Sequence, residues 1–207
     1  MTAVLIFIAY LLGSIPTSIW IGKRFYKIDV REFGSGNAGA TNTFRVLGKK
    51  AGIPVLIIDI LKGTVAVALA YLSGFEYGGT EFVNLQLGLG IAALIGHIFP
   101  VFAGFRGGKG VATMLGIVIC IVPLACSLSL IVFLFVLFST RIVSLSSMLA
   151  GVAFPVILNL VLGNQNPVLI TFSITVAALL IITHRKNIKR LLKNQESKVQ
   201  LFPVKNK

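Results

Sequence analysis

Long apolar segments recur along the chain, and short polar or glycine-rich connections separate them. Each segment has roughly the 20 residues that a helix needs to cross the hydrocarbon core of a bilayer. The segments are Thr2–Ile21, Ile53–Ser73, Phe82–Ala103, Val111–Phe138, Ile142–Leu162 and Pro167–Thr183. This pattern predicts an all-α integral membrane protein.

The fourth segment, Val111–Phe138, is longer than one crossing requires. Its 28 residues would form a helix of about 42 Å, whereas the hydrocarbon core is about 30 Å thick. Pro123 lies near the middle and lacks the N–H group that a continuing helix needs. We therefore interpret the segment as two short passes that break near Pro123, which gives about seven transmembrane helices. A six-pass chain with one long tilted helix is the alternative.

Composition and charge agree with a membrane location. Hydrophobic residues make up 56% of the 207 positions, and the mean hydropathy is +0.94. The net charge is +13, and most of the basic residues lie in two clusters, within residues 23–50 and 185–207. Both clusters flank predicted spans, where the positive-inside rule and anionic headgroups place them. Aromatic residues do not alternate with the basic ones as in base-stacking surfaces, so no nucleic acid is expected as a partner.

The two basic clusters also indicate the orientation. The 23–50 connection faces the cytoplasm, so the N-terminus lies outside, and the acidic connection Gly74–Glu81 faces outside as well. Seven passes return the basic C-terminal segment to the cytoplasm, whereas six would leave it outside. Residues 198–207 are expected to form a basic cytoplasmic tail.

The stretch FGSGNAGATNTFR, residues 33–45, is the first candidate for chemistry. Glycines let backbone N–H groups approach a ligand, and a helix that begins near Asn37 or Thr41 would direct its positive end at an anion. Arg45 adds a forked donor that suits phosphate. We interpret the stretch as a phosphate cradle. A flexible loop with helix-capping side chains is the alternative.

The stretch GHIFPVFAGFRGGKGVAT, residues 96–113, is the second candidate. It places His97 toward the cytoplasmic end of a span, where a buried imidazole is either packed against a partner or catalytic. The turn that follows adds Arg106 and Lys109, two cations that can close on a second anion. A glycine-rich turn with Lys is also an ordinary cytoplasmic loop.

Other polar residues in the apolar segments have simpler interpretations. Asp59 and Lys62 are three residues apart, and we predict that they form an intramembrane ion pair. Ser144 can donate to a phosphate or pack against another helix. The sequence has neither a Ser-His-Asp set nor a His, Cys and carboxylate cluster, so we expect no metal and no cofactor.

Three blocks together resemble the signature blocks of the bacterial PlsY family, membrane acyltransferases that acylate glycerol 3-phosphate. The blocks are GSGNAGATN, GHIFPVFAGFRGGKGVAT, and HRKNIKRLL with the later Glu196, and they occur in order at compatible spacing. The resemblance covers about residues 1–197, and it implies that they form a single multi-pass domain in the cell (inner) membrane. Two positions depart slightly: Arg106 stands where Lys is commoner, and NQESK at 194–198 replaces a version with glycine.

The resemblance implies an enzyme that moves a fatty acyl group from acyl phosphate to the sn-1 hydroxyl of glycerol 3-phosphate. The products are 1-acyl-glycerol 3-phosphate (lysophosphatidic acid) and phosphate, in the first step of phospholipid synthesis. Acyl phosphate, glycerol 3-phosphate and membrane lipid are therefore the expected partners, with the active-site loops at the cytoplasmic face. A membrane anion transporter is the alternative, although transporter sites usually lie near the bilayer midplane.

The resemblance also implies the site residues. The catalytic residues are His97, Lys109 and Asn187, and the substrate-binding residues are Ser35, Asn37, Thr41, Asn42, Arg45, Ser144 and His184. Because an acyl phosphate carries a good leaving group, the reaction needs positioning and charge stabilisation and no covalent intermediate. The base is either His97 or the donor phosphate.

Overall fold

The computed structural model describes residues 1–199, and every regular element in that part of the chain is helical. The helices are α1 (Thr2–Gly13), α2 (Thr17–Ile21), α3 (Ala40–Leu47), α4 (Lys49–Ala68), α5 (Thr80–Ile98), α6 (Val111–Ile121), α7 (Pro123–Thr140), α8 (Val143–Val156), α9 (Pro167–Thr183) and α10 (Arg185–Leu192). The predicted all-α fold is therefore confirmed. Of the predicted basic tail, residues 200–207 lie outside the described part.

Several helical segments are long and apolar enough to cross a bilayer. Four single segments qualify: Lys49–Leu72, Thr80–Ala103, Pro123–Thr140 and Val143–Val161. Two bent helix pairs raise the number to six: Thr2–Gly13 with Thr17–Tyr26, and Pro167–Thr183 with Arg185–Leu192. A seventh apolar helix, α6, has 11 residues and a length of about 16 Å, so it would need a locally thin membrane to cross alone.

The chain breaks at the position predicted in the fourth apolar segment. Helix α6 ends at Ile121, and α7 begins at Pro123, which serves as its first residue. Proline is well tolerated there because the first N–H of a helix has no partner within the helix. The break itself is confirmed, whereas the count of seven passes and the orientation stay predictions.

The first apolar segment differs from the prediction of one continuous run. It bends by 40° between α1 and α2, because Pro16 supplies no N–H to continue the hydrogen bonding of α1. The carbonyl of Ile15 in the bend accepts a hydrogen bond from Nζ of Lys62 at 3.2 Å. A side chain from α4 therefore satisfies a backbone group that the broken helix leaves open.

The chain divides into two compact units, and the first comprises Met1–Pro123. Its apolar core is formed by buried side chains of α1, α4 and α5: Leu5, Ala9, Ala66, Phe82, Leu85, Leu89 and Ala93. Helices α4 and α6 approach closely at two glycines. A Cβ at Gly63 would overlap the carbonyl of Thr113, and a Cβ at Gly116 would overlap that of Ile60.

The second unit begins at Leu124. Helices α8 and α9 pack against each other in it, with Leu180 beside Gly151. Buried apolar side chains there include Phe154, Phe172 and Val176. The prediction that residues 1–197 form a single domain stays a prediction.

Candidate functional site

The first glycine-rich loop is built around the side chain of Asn42, which is 1% exposed. Its Oδ1 accepts hydrogen bonds from the backbone N–H of Ser35 at 2.8 Å and from the Ser35 hydroxyl at 3.1 Å. Its Nδ2 donates to the carbonyls of Val30 at 2.8 Å and Phe33 at 3.2 Å. Gly34 has φ +61°, and a Cβ there would lie 2.5 Å from Asn42 Oδ1. The Asn42 amide thus fixes the loop, and its direct contact with substrate stays a prediction.

Helix α3 begins at Ala40, in the region where a helix start is predicted. Thr41 and Arg45 on this helix are exposed, and Ser35 and Asn37 in the preceding loop are half-buried. The guanidinium of Arg45 makes no hydrogen bond or ion pair with the described part of the chain. The predicted anion-binding residues therefore lie in one short segment at a helix N-terminus, with Arg45 one turn further on.

Arg31, which was not predicted as a site residue, links the segment just before this loop to the second candidate stretch. The guanidinium of Arg31 contacts Asp29 Oδ2 at 2.7 Å and donates to the carbonyl of Ala103 at 2.9 Å. The hydrogen bond from Arg31 holds the pKa of Asp29 well below its ordinary value, and the same bond raises the pKa of Arg31. The two side chains therefore stay ionised as a pair.

His97 lies in the last turn of α5, and it is 6% exposed. Its Nδ1 is 3.0 Å from Oγ1 of Thr113 and 3.9 Å from Oδ1 of Asp59. Its Nε2 faces the backbone of Gly108, where an added Cβ would overlap Nε2 and lie 2.9 Å from the carbonyl oxygen of Ala38. Because Ala38 belongs to the first glycine-rich loop and Gly108 to the second, the two loops meet at this imidazole.

The second glycine-rich turn folds back on the end of α5. The backbone N–H of Gly107 donates to the carbonyl of Ile98, and that of Gly108 donates to the carbonyl of His97, both at 3.1 Å. Lys109 follows directly and is half-buried. Lys109 is therefore next in sequence to the glycine whose backbone lies against the imidazole.

The predicted ion pair of Asp59 and Lys62 is present and buried. Lys62 Nζ is 2.9 Å from Asp59 Oδ1, and the hydroxyl of Thr17 donates to the same oxygen at 3.2 Å. Lys62 also donates to the bend at Ile15. Both charges are thus matched within the protein, as a low-dielectric site demands. Their proximity to His97 was not predicted, because the helices that carry these residues are brought together only by tertiary packing.

In the second unit, three polar side chains converge on Glu196. The hydroxyl of Ser144 and the amide of Asn187 donate to its Oε1 at 2.9 Å and 2.6 Å, and Arg190 Nε donates to its Oε2 at 2.6 Å. Burial by itself would raise the pKa of Glu196, but the bonds from Arg190, Asn187 and Ser144 outweigh it and lower the pKa. His184 is buried, and its Nδ1 lies 2.8 Å from the carbonyl oxygen of Leu180.

The structure thus groups the predicted residues in two sets. In the first unit these are Ser35, Asn37, Thr41, Asn42, Arg45, His97 and Lys109; in the second they are Ser144, His184 and Asn187. Thr113, Asp59 and Arg31 are neighbours that the sequence analysis did not place at a site. Within residues 1–199, no group of three His, Cys, Asp or Glu side chains is arranged to hold a metal ion.

Comparisons with known proteins agree on one family. The model of the family described as glycerol-3-phosphate acyltransferase matches residues 3–194. A protein of that description from Listeria monocytogenes is 48% identical over 193 residues, which cover 93% of this chain and 94% of that protein. One from Enterococcus faecalis is 44% identical over 203 residues, which cover 95% of this chain and 91% of that protein.

Solved structures give the same result. The crystal structure of PlsY, an integral membrane glycerol 3-phosphate acyltransferase, in its glycerol 3-phosphate form has a TM-score of 0.85 and 37% identity, covering 96% of both chains. Its lysophosphatidic acid form has a TM-score of 0.83 and 37% identity, covering 96% of this chain and 95% of that one.

Proposed function

The chain belongs to the glycerol-3-phosphate acyltransferase family, and from this premise we propose that its acyl donor is an acyl phosphate. It is an integral membrane acyltransferase that acylates glycerol 3-phosphate to lysophosphatidic acid. In the proposed reaction, the sn-1 hydroxyl oxygen attacks the acyl carbonyl carbon, and the bond from that carbon to the phosphate oxygen breaks. The hydroxyl proton passes to a base, and inorganic phosphate leaves.

The observation that supports this proposal most directly is the meeting of two glycine-rich loops at the buried His97. Two substrates that each carry a phosphate repel one another, so the enzyme must hold two anions side by side. The proposed hydrogen-bond donors to phosphate in the first loop are Arg45, Thr41, Ser35 and Asn37. The N–H groups at the N-terminus of α3 add dipoles that attract the anion. Asn42 holds the loop in shape through its bonds to Ser35.

The second loop supplies the other cradle. Lys109 is proposed to neutralise charge that develops on the phosphate, and the backbone of the glycine turn can approach the substrate closely because it has no side chains. Ser144 and His184 of the second unit stay predicted substrate-binding residues, and Asn187 stays a predicted catalytic residue. Glu196 would orient Ser144 and Asn187 there, since both donate to its Oε1.

We assign the role of base to the donor phosphate. If His97 took the proton, its cationic ring would share the single carboxylate of Asp59 with the ammonium of Lys62, in a buried cluster. An acyl phosphate brings its own oxygens close to the carbonyl under attack. A neutral His97 would then act as a hydrogen-bond donor that positions the substrate.

Orientation is the second part of the proposal. The N-terminus is proposed to lie outside and both glycine-rich loops to face the cytoplasm, in the cell (inner) membrane of a bacterium. A single cysteine inserted after Lys198, in a chain with Cys120 and Cys126 replaced by Ala, should resist impermeant thiol reagents in intact cells. Labelling from the outside would contradict the proposed orientation.

The donor is tested with purified protein in detergent. Radiolabelled glycerol 3-phosphate is offered with an acyl phosphate or with the acyl-coenzyme A of the same chain length. Lysophosphatidic acid should form rapidly only with the acyl phosphate. Equal rates with both donors would refute the proposed donor. If no product formed with either, flux of phosphate into proteoliposomes would test the transporter alternative.

A further inference from the structure

The hydroxyl of Thr113 is the hydrogen-bonding partner of the His97 ring. We propose that Thr113 is a positioning residue of the acyl transfer: its hydroxyl donates to Nδ1 of His97 and keeps the ring proton on Nε2. The Nε2–H group then faces the two glycine-rich loops as a donor for substrate. This inference rests on the function proposed above and names a residue on which that function depends.

The geometry around the ring distinguishes its two nitrogens. Nδ1 lies 3.0 Å from Thr113 Oγ1, with Thr113 0% exposed and His97 6% exposed. Nε2 makes no hydrogen bond to the described part of the chain, and it lies against the backbone of Gly108, where an added Cβ would overlap Nε2 and would lie 2.9 Å from the carbonyl oxygen of Ala38. In a neutral imidazole, the nitrogen that accepts a hydrogen bond leaves the proton on the other nitrogen. A donating Thr113 hydroxyl therefore fixes the tautomer.

Asp59 is the competing partner for Nδ1, and its geometry disfavours that role. Its Oδ1 is 3.9 Å from Nδ1, beyond the range of a hydrogen bond. The same oxygen already receives Lys62 Nζ at 2.9 Å and the Thr17 hydroxyl at 3.2 Å. The carboxylate is therefore occupied by other donors, and Thr113 remains the nearer partner of the ring.

Close helix packing explains why Thr113 reaches His97. Helix α6 can approach α4 only because Gly63 and Gly116 have no side chains. The hydroxyl of Thr64 on α4 also donates to the carbonyl of Gly116 at 3.1 Å, which fixes the register of α6. Thr113 lies in the first turn of α6, so this register sets the position of its hydroxyl against the imidazole.

The first arm of the test is kinetic. Thr113→Val keeps the side-chain shape and removes the hydroxyl, so kcat should fall about 3- to 10-fold, as expected for loss of a neutral hydrogen bond. KM for both substrates should change less, because the glycine-rich loops still bind the phosphates. Thr113→Ser should restore most of kcat. Thr171→Val is the matched control, since the Thr171 hydroxyl donates within its own helix to the carbonyl of Pro167 at 2.8 Å, and its kcat should equal that of the wild type.

The second arm reads the tautomer directly. The chain has two histidines, His97 and His184, so NMR of protein labelled with 15N-histidine gives two ring systems, and the spectrum of His97→Ala assigns them. Protonated and unprotonated ring nitrogens have well separated shifts. In the wild type, His97 should carry its proton on Nε2, and Thr113→Val should give a mixture of tautomers.

The outcomes separate this inference from the proposed function. Wild-type kcat in Thr113→Val, or an unchanged His97 tautomer in that variant, would overturn the role of Thr113 even if the acyl phosphate reaction is confirmed. A wild-type proton on Nδ1 would overturn it as well. If the wild type makes no lysophosphatidic acid from acyl phosphate, the proposed function fails, and the role of Thr113 in catalysis fails with it.

Discussion

Replacing Gly108 by Ala tests whether the meeting of the two loops at His97 matters for catalysis. The backbone φ of Gly108 is not positive, so Ala introduces no backbone strain there. The added Cβ would overlap Nε2 of His97, would lie 3.0 Å from its Cε1 and would lie 2.9 Å from the carbonyl oxygen of Ala38. Steric displacement is thus the expected effect of this substitution.

The size of the displacement follows from these distances. Ordinary van der Waals contacts of a Cβ begin at 3.4 Å, so the loops or the imidazole must shift by roughly an ångström to admit the methyl group. A misplacement of about 1 Å between reacting groups can cost about 100-fold in rate. We therefore expect kcat of Gly108→Ala to fall about 100-fold, with the protein still folded.

The assay measures lysophosphatidic acid formation by purified variants at saturating substrates, with thermal unfolding in the same detergent. Gly88→Ala is the matched control. Gly88 lies on the same helix as His97, and a Cβ there would meet no atom of another helix within 4 Å, so Ala should keep or raise stability and leave kcat unchanged. Wild-type kcat in Gly108→Ala would refute the proposal that this contact is part of the active site.

Three further predictions follow from individual side chains. Arg45→Ala removes a charge-assisted hydrogen bond worth about 1.5–3 kcal/mol, so kcat/KM should fall roughly 10- to 150-fold. Arg45→Lys should recover only part of kcat/KM, because an ammonium cannot form the paired hydrogen bonds of a guanidinium. Wild-type kcat/KM in Arg45→Ala would show that this side chain does not bind phosphate. His97→Gln should retain appreciable activity between pH 6 and 9, because an amide can donate a hydrogen bond. Complete loss of activity in this variant would make His97 the base, if kcat of the wild type also falls at acidic pH in a way that no substrate pKa explains. Arg31 holds the pKa of Asp29 below its ordinary value, so the ionised carboxylate stabilises the fold above about pH 4. This contribution is lost as the pH falls through the lowered pKa of Asp29. Asp29→Asn should therefore lower the unfolding temperature at pH 7, and the deficit should narrow toward pH 3; an equal deficit at both pH values would contradict the ion pair.

The sequence predicted the helices well where hydrophobicity alone decides them. Long apolar runs give the spans, and the break occurs at Pro123, which lacks the N–H that a continuing helix would use. Proline alone does not decide a break, since Pro54 and Pro155 lie inside α4 and α8. Pro16 has the same chemistry, yet the bend beside it was missed because it lies inside an apolar run of ordinary length. The carbonyl of Ile15 in this bend accepts a hydrogen bond from Lys62, which lies on another helix. The local sequence around Pro16 does not reveal this contact.

The site was predictable by segment and less so by contact. Glycines, hydroxyls and Arg45 identify the first loop, but sequence does not tell that Asn42 points its amide into the loop and bonds Ser35. The partnership of Thr113 with His97 depends on how closely α4 and α6 pack at Gly63 and Gly116. Such packing joins residues far apart in the chain, so spacing along the sequence carries no signal for it.

The transfer of the acyl group from acyl phosphate to glycerol 3-phosphate is tested most directly by measuring both products of the reaction in one sample. Purified protein in detergent receives acyl phosphate and glycerol 3-phosphate, and the initial rates of lysophosphatidic acid formation and of inorganic phosphate release are compared. If acyl phosphate is the acyl donor, the two rates should be equal, with no phosphate release above background when glycerol 3-phosphate is omitted. Phosphate released without lysophosphatidic acid, or lysophosphatidic acid formed without phosphate, would contradict the proposed donor.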